Sequence, residues 1–537
     1  MQGKQVIRAF FHEAGISHIF QLPGLHTLAL NAELFCDQSI KTITARHETN
    51  LAFMADGYAR ASGKPAVILI TPGPGLGNIV SGCMEAYCDD VPLFIIHIDT
   101  DRKDTGKGIL HELEAPENIF RHFIKAVFRV EKPASLNASL KQALRTCLEG
   151  GRPGPVLVSI PYSLLDRETP TPALSGQGQH PAGSEQTDAG RLQTFLGNLE
   201  RILDGRRRPV LLGGKALMGE RTGELVGEIC GRAGIPFLTS TGGKGVVSDR
   251  NLFSLGNIIA KGVAREIIES ADLVIAAGTR LRDVDAKRRG VRIKDLVHID
   301  IDDRWIGKNY PAMIHFTGDI GAALEGLSGI VRERAFSWDL TRLKNKQTSE
   351  MASLKKSAGG YALIDLLRGI VPDTTTIVCD LNMPSYWAEY YLPVYFQRSF
   401  LMPRGISPIF YSLAAALGAK TARPDLPCLA VCGDGGGLPQ MAELATIMKY
   451  NIPLVIFVHN NSAFSILEDA MQSRHQITGS MELTNPDFVK LARAFGIKAK
   501  RTRTLRGLRD IFLHDVHWDE PFLVEFVDRV SSPPWNR

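Results

Sequence analysis

The run Gly433-Asp434-Gly435-Gly436-Gly437 sets one carboxylate among glycines, directly after the apolar stretch Leu429-Ala430-Val431-Cys432. A second apolar stretch, Leu454–Val458, ends at Asn460-Asn461. Magnesium takes about six oxygens in a near-octahedral array, commonly one or two protein groups plus phosphates. Asp434 offers a carboxylate and Asn461 an amide oxygen, while Gly433, Gly435 and Gly436 let backbone N–H groups approach phosphates closely. Alone, the glycine run reads as a tight turn and the Asn pair as a strand-end cap. Together, with room between them for one helix and a returning parallel strand, they emerge at one carboxyl edge of a sheet, where open α/β sheets bind ligands.

A second carboxylate has a different setting. Thr44-Ala45-Arg46-His47-Glu48 follows a strand and opens a helical run through Arg60. After one more strand comes Thr71-Pro72-Gly73-Pro74-Gly75-Leu76-Gly77-Asn78, whose glycines permit backbone to lie against a flat ring. Glu48 is otherwise readable as a plain charge at a helix N-terminus. His26 and His111 are candidate proton shuttles, since imidazole titrates near neutral pH; the competing reading is a histidine satisfied by local hydrogen bonds.

The elements that position these groups form three blocks, each alternating short β-branched runs with longer helical patterns, the signal of parallel α/β sheets. Strands are expected at His18–Gln21, Ile40–Thr44, Ala66–Ile70, Leu93–Ile98 and Val156–Ile160; at Pro209–Leu212, Pro236–Thr239, Asp272–Ala276 and Val297–Ile301; and at Thr376–Cys379, Cys428–Val431, Pro453–Val458 and Phe522–Phe526. These runs are continuously apolar, as expected when helices cover both faces. Polar stretches from Glu168 to Asp188 and from Thr341 to Gly360 read as linkers. The expected fold is α/β, three doubly wound parallel-sheet domains at 1–168, 189–340 and 357–537.

Composition narrows the class. The 537 residues are 44% apolar and 22% charged, with a net charge of +5 and no basic cluster interleaved with aromatics, so neither nucleic acid nor membrane is an expected partner. No signal-peptide pattern opens the chain. Eight cysteines without a CxxC pair read as buried thiols of a reducing cytoplasm.

With these residues in place, the chain resembles the thiamine-diphosphate-dependent superfamily of acetolactate synthases, pyruvate decarboxylases and benzoylformate decarboxylases. The likeness rests on GDG followed by NN, and on Arg46-His47-Glu48, Gly57-Tyr58-Ala59-Arg60 and the Thr71–Asn78 loop. It implies that Asp434, Asn461 and the main-chain oxygen of Ala463 ligate magnesium, and that Glu48 bonds the aminopyrimidine ring so that the cofactor's imino group can deprotonate its own C2. It places Thr71, Gly73, Asn78 and Asp380 among the cofactor contacts, and Ile409 as the apolar wedge that bends the cofactor. Two departures stand out: Gly436 replaces the family's usual Ser or Ala, and Ser407-Pro408-Ile409-Phe410-Tyr411 replaces a glycine-rich setting.

The resemblance is acetolactate-synthase-like and includes the guanidino-oxopentanoate decarboxylases, through Leu22–Thr27, Gly108–Leu113 and Asp380–Trp387. It implies cleavage of a small-molecule 2-oxo acid through a carbanion at the cofactor's C2, with carboligation to a second carbonyl compound as the alternative. It also implies a homodimer or homotetramer with active sites at subunit interfaces. A catalytically inactive partner subunit is a further alternative, against which stands the retention of Glu48, Asp434 and Asn461. The middle block is similar to a flavin-binding domain in Ala277–Arg280 and His298–Asp302 but departs at Leu281–Asp285, so FAD is not the expected occupant.

Overall fold

Runs of Val, Ile, Leu and Ala with no polar face can be strands only if both faces are covered, and the chain meets that demand three times. The computed structural model describes residues 1–149, 151–170, 185–477, 479 and 481–534. In these residues three six-stranded sheets form, with every strand pair parallel. The first holds β1 (His18–Gln21), β2 (Lys41–Thr44), β3 (Ala66–Ile70), β4 (Leu93–Asp99), β5 (Ala126–Arg129) and β6 (Val156–Pro161), in the order β2-β1-β3-β4-β6-β5. The second holds β7 (Pro209–Gly213), β8 (Phe237–Thr239), β9 (Ser254–Asn257), β10 (Leu273–Ala277), β11 (Leu296–Asp300) and β12 (Ile314–Thr317), in the order β12-β11-β10-β7-β8-β9. The third holds β13 (Thr376–Cys379), β14 (Phe400–Leu401), β15 (Cys428–Gly433), β16 (Val455–Asn460), β17 (Lys498–Thr502) and β18 (Phe522–Val527), in the order β14-β13-β15-β16-β18-β17.

The five strands that the sequence reading omits, β5, β9, β12, β14 and β17, all lie at sheet edges. An edge strand has one neighbour and partial solvent cover, so it needs no continuous apolar run. Every residue of β5 is half-buried, and β17 buries only Ala499. The stretch from Thr341 to Gly360, read as a linker, is instead helical: a helix spans Leu340–Ser357, capped by Asp339, whose side chain accepts a 2.9 Å bond from the Arg342 N–H. Leu340, Leu343, Met351 and Leu354 recur along one face of it and pack against the core, and its Lys, Gln, Glu and Met residues favour helix on propensity. Gly360 is not a spacer; a Cβ there would meet Trp387 Nε1 at 2.1 Å. Most of the Glu168–Asp188 stretch lies outside the described residues.

Helices from different domains share cores. The helix Glu48–Ser62 crosses the helix Ser412–Ala422 of the third domain almost backbone to backbone. A Cβ on Gly57 would meet the Ala415 carbonyl oxygen at 2.0 Å, and one on Gly418 the Met54 oxygen at 1.8 Å. Main chain cannot yield as a flexible side chain can. We therefore expect Gly418→Ala to destabilise the protein by about 1–3 kcal/mol, read as a lowered thermal midpoint; an unchanged midpoint would contradict the crossing.

His97, His298 and His459 lie buried inside the sheets, and burial lowers the pKa of all three. Burial pushes His97 on β4 and His459 on β16 down to about 4 from the ordinary 6.5. Below pH 6.5 the unfolded chain binds protons that the folded one refuses, so stability falls with pH and is lost progressively between about 6.5 and 4. Thermal midpoints measured from pH 7 to 4.5 should decline over that window, and His97→Gln should flatten the decline.

Candidate functional site

β15 and β16 are adjacent, with Gly433 opposite His459, so both carboxyl ends open at one edge of the third sheet. Asp434 starts a helical turn there and is buried. Its Oδ2 accepts from the Ser462 N–H at 2.8 Å and from Asn485 Nδ2 at 2.7 Å, while burial raises its acid above the usual carboxylate range. Asn461 donates to Ser465 Oγ and accepts at 3.3 Å from the Ala463 N–H. Ser462, in the left-handed region at φ 54°, turns the chain so that Asn461 and Ala463 flank the Asp434 contact. Among the described residues no group of three or more His, Cys, Asp or Glu could hold a metal. A cation here has one carboxylate and neutral oxygens, a donor set that suits magnesium arriving with phosphate ligands.

The glycines of the turn are required by their surroundings. A Cβ on Gly435 would strike the Phe464 ring at 2.5 Å, and one on Gly436 would meet the Ile409 carbonyl oxygen at 2.3 Å and Asp380 Oδ2 at 2.7 Å. The two departures from the family pattern thus explain each other: the Ser407–Tyr411 segment brings the Ile409 carbonyl where a side chain at 436 would sit. Asp380 is 1% exposed; its Oδ1 accepts from the Leu381 N–H at 2.7 Å and its Oδ2 has no hydrogen-bond partner among the described residues. Burial pushes its acid up to about 7. A buried polar atom left without a partner beside a glycine cradle fits a site built to receive a ligand donor. Ile409 is 38% exposed, so its side chain does not serve core packing.

Glu48 is the first residue of its helix at the edge of the first sheet, half-buried, and its Oε2 accepts from Asn78 Nδ2 at 3.0 Å. Thr49 Oγ1 ties down the Asn78 carbonyl at 2.8 Å. Gly73 adopts φ 64°, and a Cβ there would meet His111 Cβ at 3.0 Å. Thr71 packs against Gly24, where an added Cβ would meet its Cγ2 at 2.6 Å. The structure also brings His26 and His111 together, with ring centroids 5.7 Å apart and planes 28° apart. The Nδ1 atoms of both are buried without a partner among the described residues. Burial, then the neighbouring His111, lowers the His26 acid.

The two groups, Glu48 with Asn78 and the histidines, and Asp434 with Asn461 and Asp380, share no hydrogen bond, ion pair or ring contact among the described residues of one chain. What joins their domains is a set of residues that the sequence reading missed. Glu443 accepts from the Arg46 N–H at 3.0 Å and from Asn50 at 3.0 Å, just beside Glu48. Fully buried Glu85 accepts the N–H groups of Gly405, Ile406 and Ser407 at 2.8, 2.8 and 3.1 Å, fixing the segment that leads to Ile409. Arg60 bonds Asp56, Glu85 and Asp89, and Tyr411 donates to Asp56. The i,i+4 pair Asp56 and Arg60 inside an apolar helix was the available signal; Asn485, Glu85 and Glu443 had none.

The central sheet reverses strand order between β7 and β10, where such folds take ligands. That crevice keeps only about 40 Å³ of free space. Lys215 and Arg280 cross it to grip Asp89.

Comparison with known proteins accords with this architecture. Residues 1–118 match the N-terminal TPP binding domain of the thiamine pyrophosphate enzymes, 198–327 their central domain and 381–526 their C-terminal TPP binding domain. A probable 2-ketoarginine decarboxylase of Pseudomonas aeruginosa is 31% identical over 510 residues, covering 93% of this chain and 89% of its own length. A probable acetolactate synthase large subunit of Methanococcus aeolicus is 27% identical over 566 residues, covering 99% and 93%. The acetolactate synthase large subunit of Haemophilus influenzae is 27% identical over 518 residues, covering 92% and 89%. With three matched domains, three parallel sheets and these relatives, the chain belongs to the thiamine pyrophosphate-dependent enzymes of the acetolactate-synthase-like kind.

Proposed function

We propose that the protein decarboxylates a 2-oxo acid without oxidation, with thiamine diphosphate held through magnesium. The observation that carries this reading is the pair of half-sites, one carboxylate presented by Asn78 and one buried among glycines. When bound, thiamine diphosphate supplies an acidic thiazolium carbon and the electron sink that breaking a bond next to a carbonyl requires.

The chain's own residues would do the rest. Asp434, Asn461 and the Ala463 carbonyl hold the magnesium, and the N–H groups around Gly433, Gly435 and Gly436 face the diphosphate. Asp380 offers its unpartnered Oδ2 beside that cradle, and Ile409 would support the bound cofactor. Glu48, oriented by Asn78, bonds the pyrimidine ring, and Thr71 and Gly73 shape the surface beneath it. His26 and His111 deliver the proton that product release needs.

Because the half-sites do not meet within one chain, a second copy would complete each. Exposed Leu25, Leu28 and Leu110 beside the histidines, and exposed Ile409 and Phe410 beside the cradle, are apolar surface for such a partner. No helix among the described residues is long and apolar enough to cross a membrane. All eight cysteines are free thiols, in keeping with a reducing cytoplasm. The same first step would serve carboligation, the activity named for the acetolactate synthase relatives, and product mass separates an aldehyde from a ligated hydroxyketone.

Three substitutions test the assignment. Glu48→Gln should leave cofactor binding intact and slow turnover by roughly 10²–10⁴; wild-type turnover would remove Glu48 from the mechanism. Asp434→Ala should abolish magnesium-dependent cofactor retention in calorimetry. Asn485→Ala, which frees Asp434 from one of its two anchors, should weaken magnesium affinity about 10–100-fold, and an unchanged affinity would mean that Asn485 does not position the ligand.

A further inference from the structure

The turn that carries the metal groups rests on a charge outside the chemistry proposed above. Glu525 lies on β18, the strand next to β16, opposite Val458, and is 1% exposed. A carboxylate taken out of water stands only where its oxygens are answered. Glu525 Oε1 accepts from Asn460 Nδ2 at 2.8 Å, and its Oε2 accepts from Arg501 Nε at 2.6 Å. Its two oxygens thus serve Asn460 and Arg501.

Asn460 passes that constraint to the site. A primary amide has one accepting end and one donating end, whereas an ionised carboxylate can only accept. Glu525 therefore holds the Nδ2 end and leaves Oδ1 for the turn. Asn460 Oδ1 accepts from the Ser462 N–H at 3.2 Å and from Asn485 Nδ2 at 3.1 Å. These are the same two donors that grip Asp434 Oδ2. Ser462 is also the left-handed residue between Asn461 and Ala463, the other two groups assigned to the metal. An amide turned the other way would set Nδ2 against two donors and push both from Asp434.

The far side of Glu525 closes the circuit. Arg501 Nη2 bonds Asp487 Oδ1 at 2.9 Å, and Asp487 caps the helix Phe488–Ala494 two residues after Asn485. Glu525, Asn460, Asn485, Asp487 and Arg501 form a ring, completed by the chain between 485 and 487. We infer that Glu525 is a positioning residue for magnesium, setting the Asn460 amide so that Ser462 and Asn485 hold Asp434 for the cation. The inference rests on the magnesium reading above. A pair that merely joined β16 to β18 would add stability without touching metal affinity.

The test titrates magnesium into the full chain in the presence of thiamine diphosphate, with calorimetry as the readout. Glu525→Gln and Glu525→Met both remove the charge and keep the length, and only the first keeps an acceptor for Asn460. The first variant should bind within about threefold of wild type, a neutral hydrogen bond replacing a charge-assisted one. The second should bind about 10–100-fold more weakly, as when outer partners of metal ligands are removed. Glu525→Asp, which keeps the charge but falls short of Asn460, should weaken binding in the same sense and serves where Glu525→Met does not fold. Either change combined with Asn460→Ser should weaken binding no further than Asn460→Ser alone, since Glu525 acts through that amide. Wild-type affinity in the Met and Asp variants, equal weakening by Gln and Met, or additive losses in the double variant would overturn this inference and leave the magnesium reading standing. Absence of magnesium-dependent thiamine diphosphate uptake by the wild type would overturn that reading and the inference with it.

Discussion

Arg60, buried where the three domains meet, is the interaction on which the rest of the structure depends. It binds Asp56 in its own helix, Glu85 in the helix Val80–Cys88 and Asp89 in the turn after it. Taking charges out of water costs several kcal/mol each, so such a cluster stands only if every member is paired. The pairing extends outward: Asp89 takes Arg280 and Lys215 of the central domain, Glu85 takes three N–H groups of the third, and Asp56 takes Tyr411. Removing one partner would leave the others buried and unanswered. The proposed wedge, Ile409, therefore owes its place to a charge in another domain.

The same economy governs the contacts between helices. The Glu48–Ser62 helix puts Gly57 against Ala415, and the Ser412–Ala422 helix puts Gly418 against Met54, so the first and third domains form one core. Glu48 at one end of that crossing and Tyr411 at the other are set by the same close approach. The N-terminal half-site is thus rigidly tied to the third domain of its own chain.

The central sheet is built like a nucleotide-binding domain but its switch point does mechanical work. Lys215 and Arg280 leave the ends of β7 and β10 to hold Asp89, and Arg152 reaches Asp300 and Asp302 at the end of β11. These contacts hold the first domain in place.

The sequence by itself determined the class of fold and the residues capable of the chemistry. Continuous apolar runs permit only strands covered on both faces, and a carboxylate among glycines near a paired amide is legible because neighbours along the chain carry it. Thirteen strands could be read this way, with all twelve interior strands and the edge strand β2 among them. The tertiary structure alone decided the five remaining edges, the grip of Glu85 on the Gly405–Ser407 segment, the Asn485 anchor of Asp434 and the stacking of His26 on His111. Each of these depends on groups far apart in sequence, so pairing and burial, not local pattern, supply the energy that fixes them.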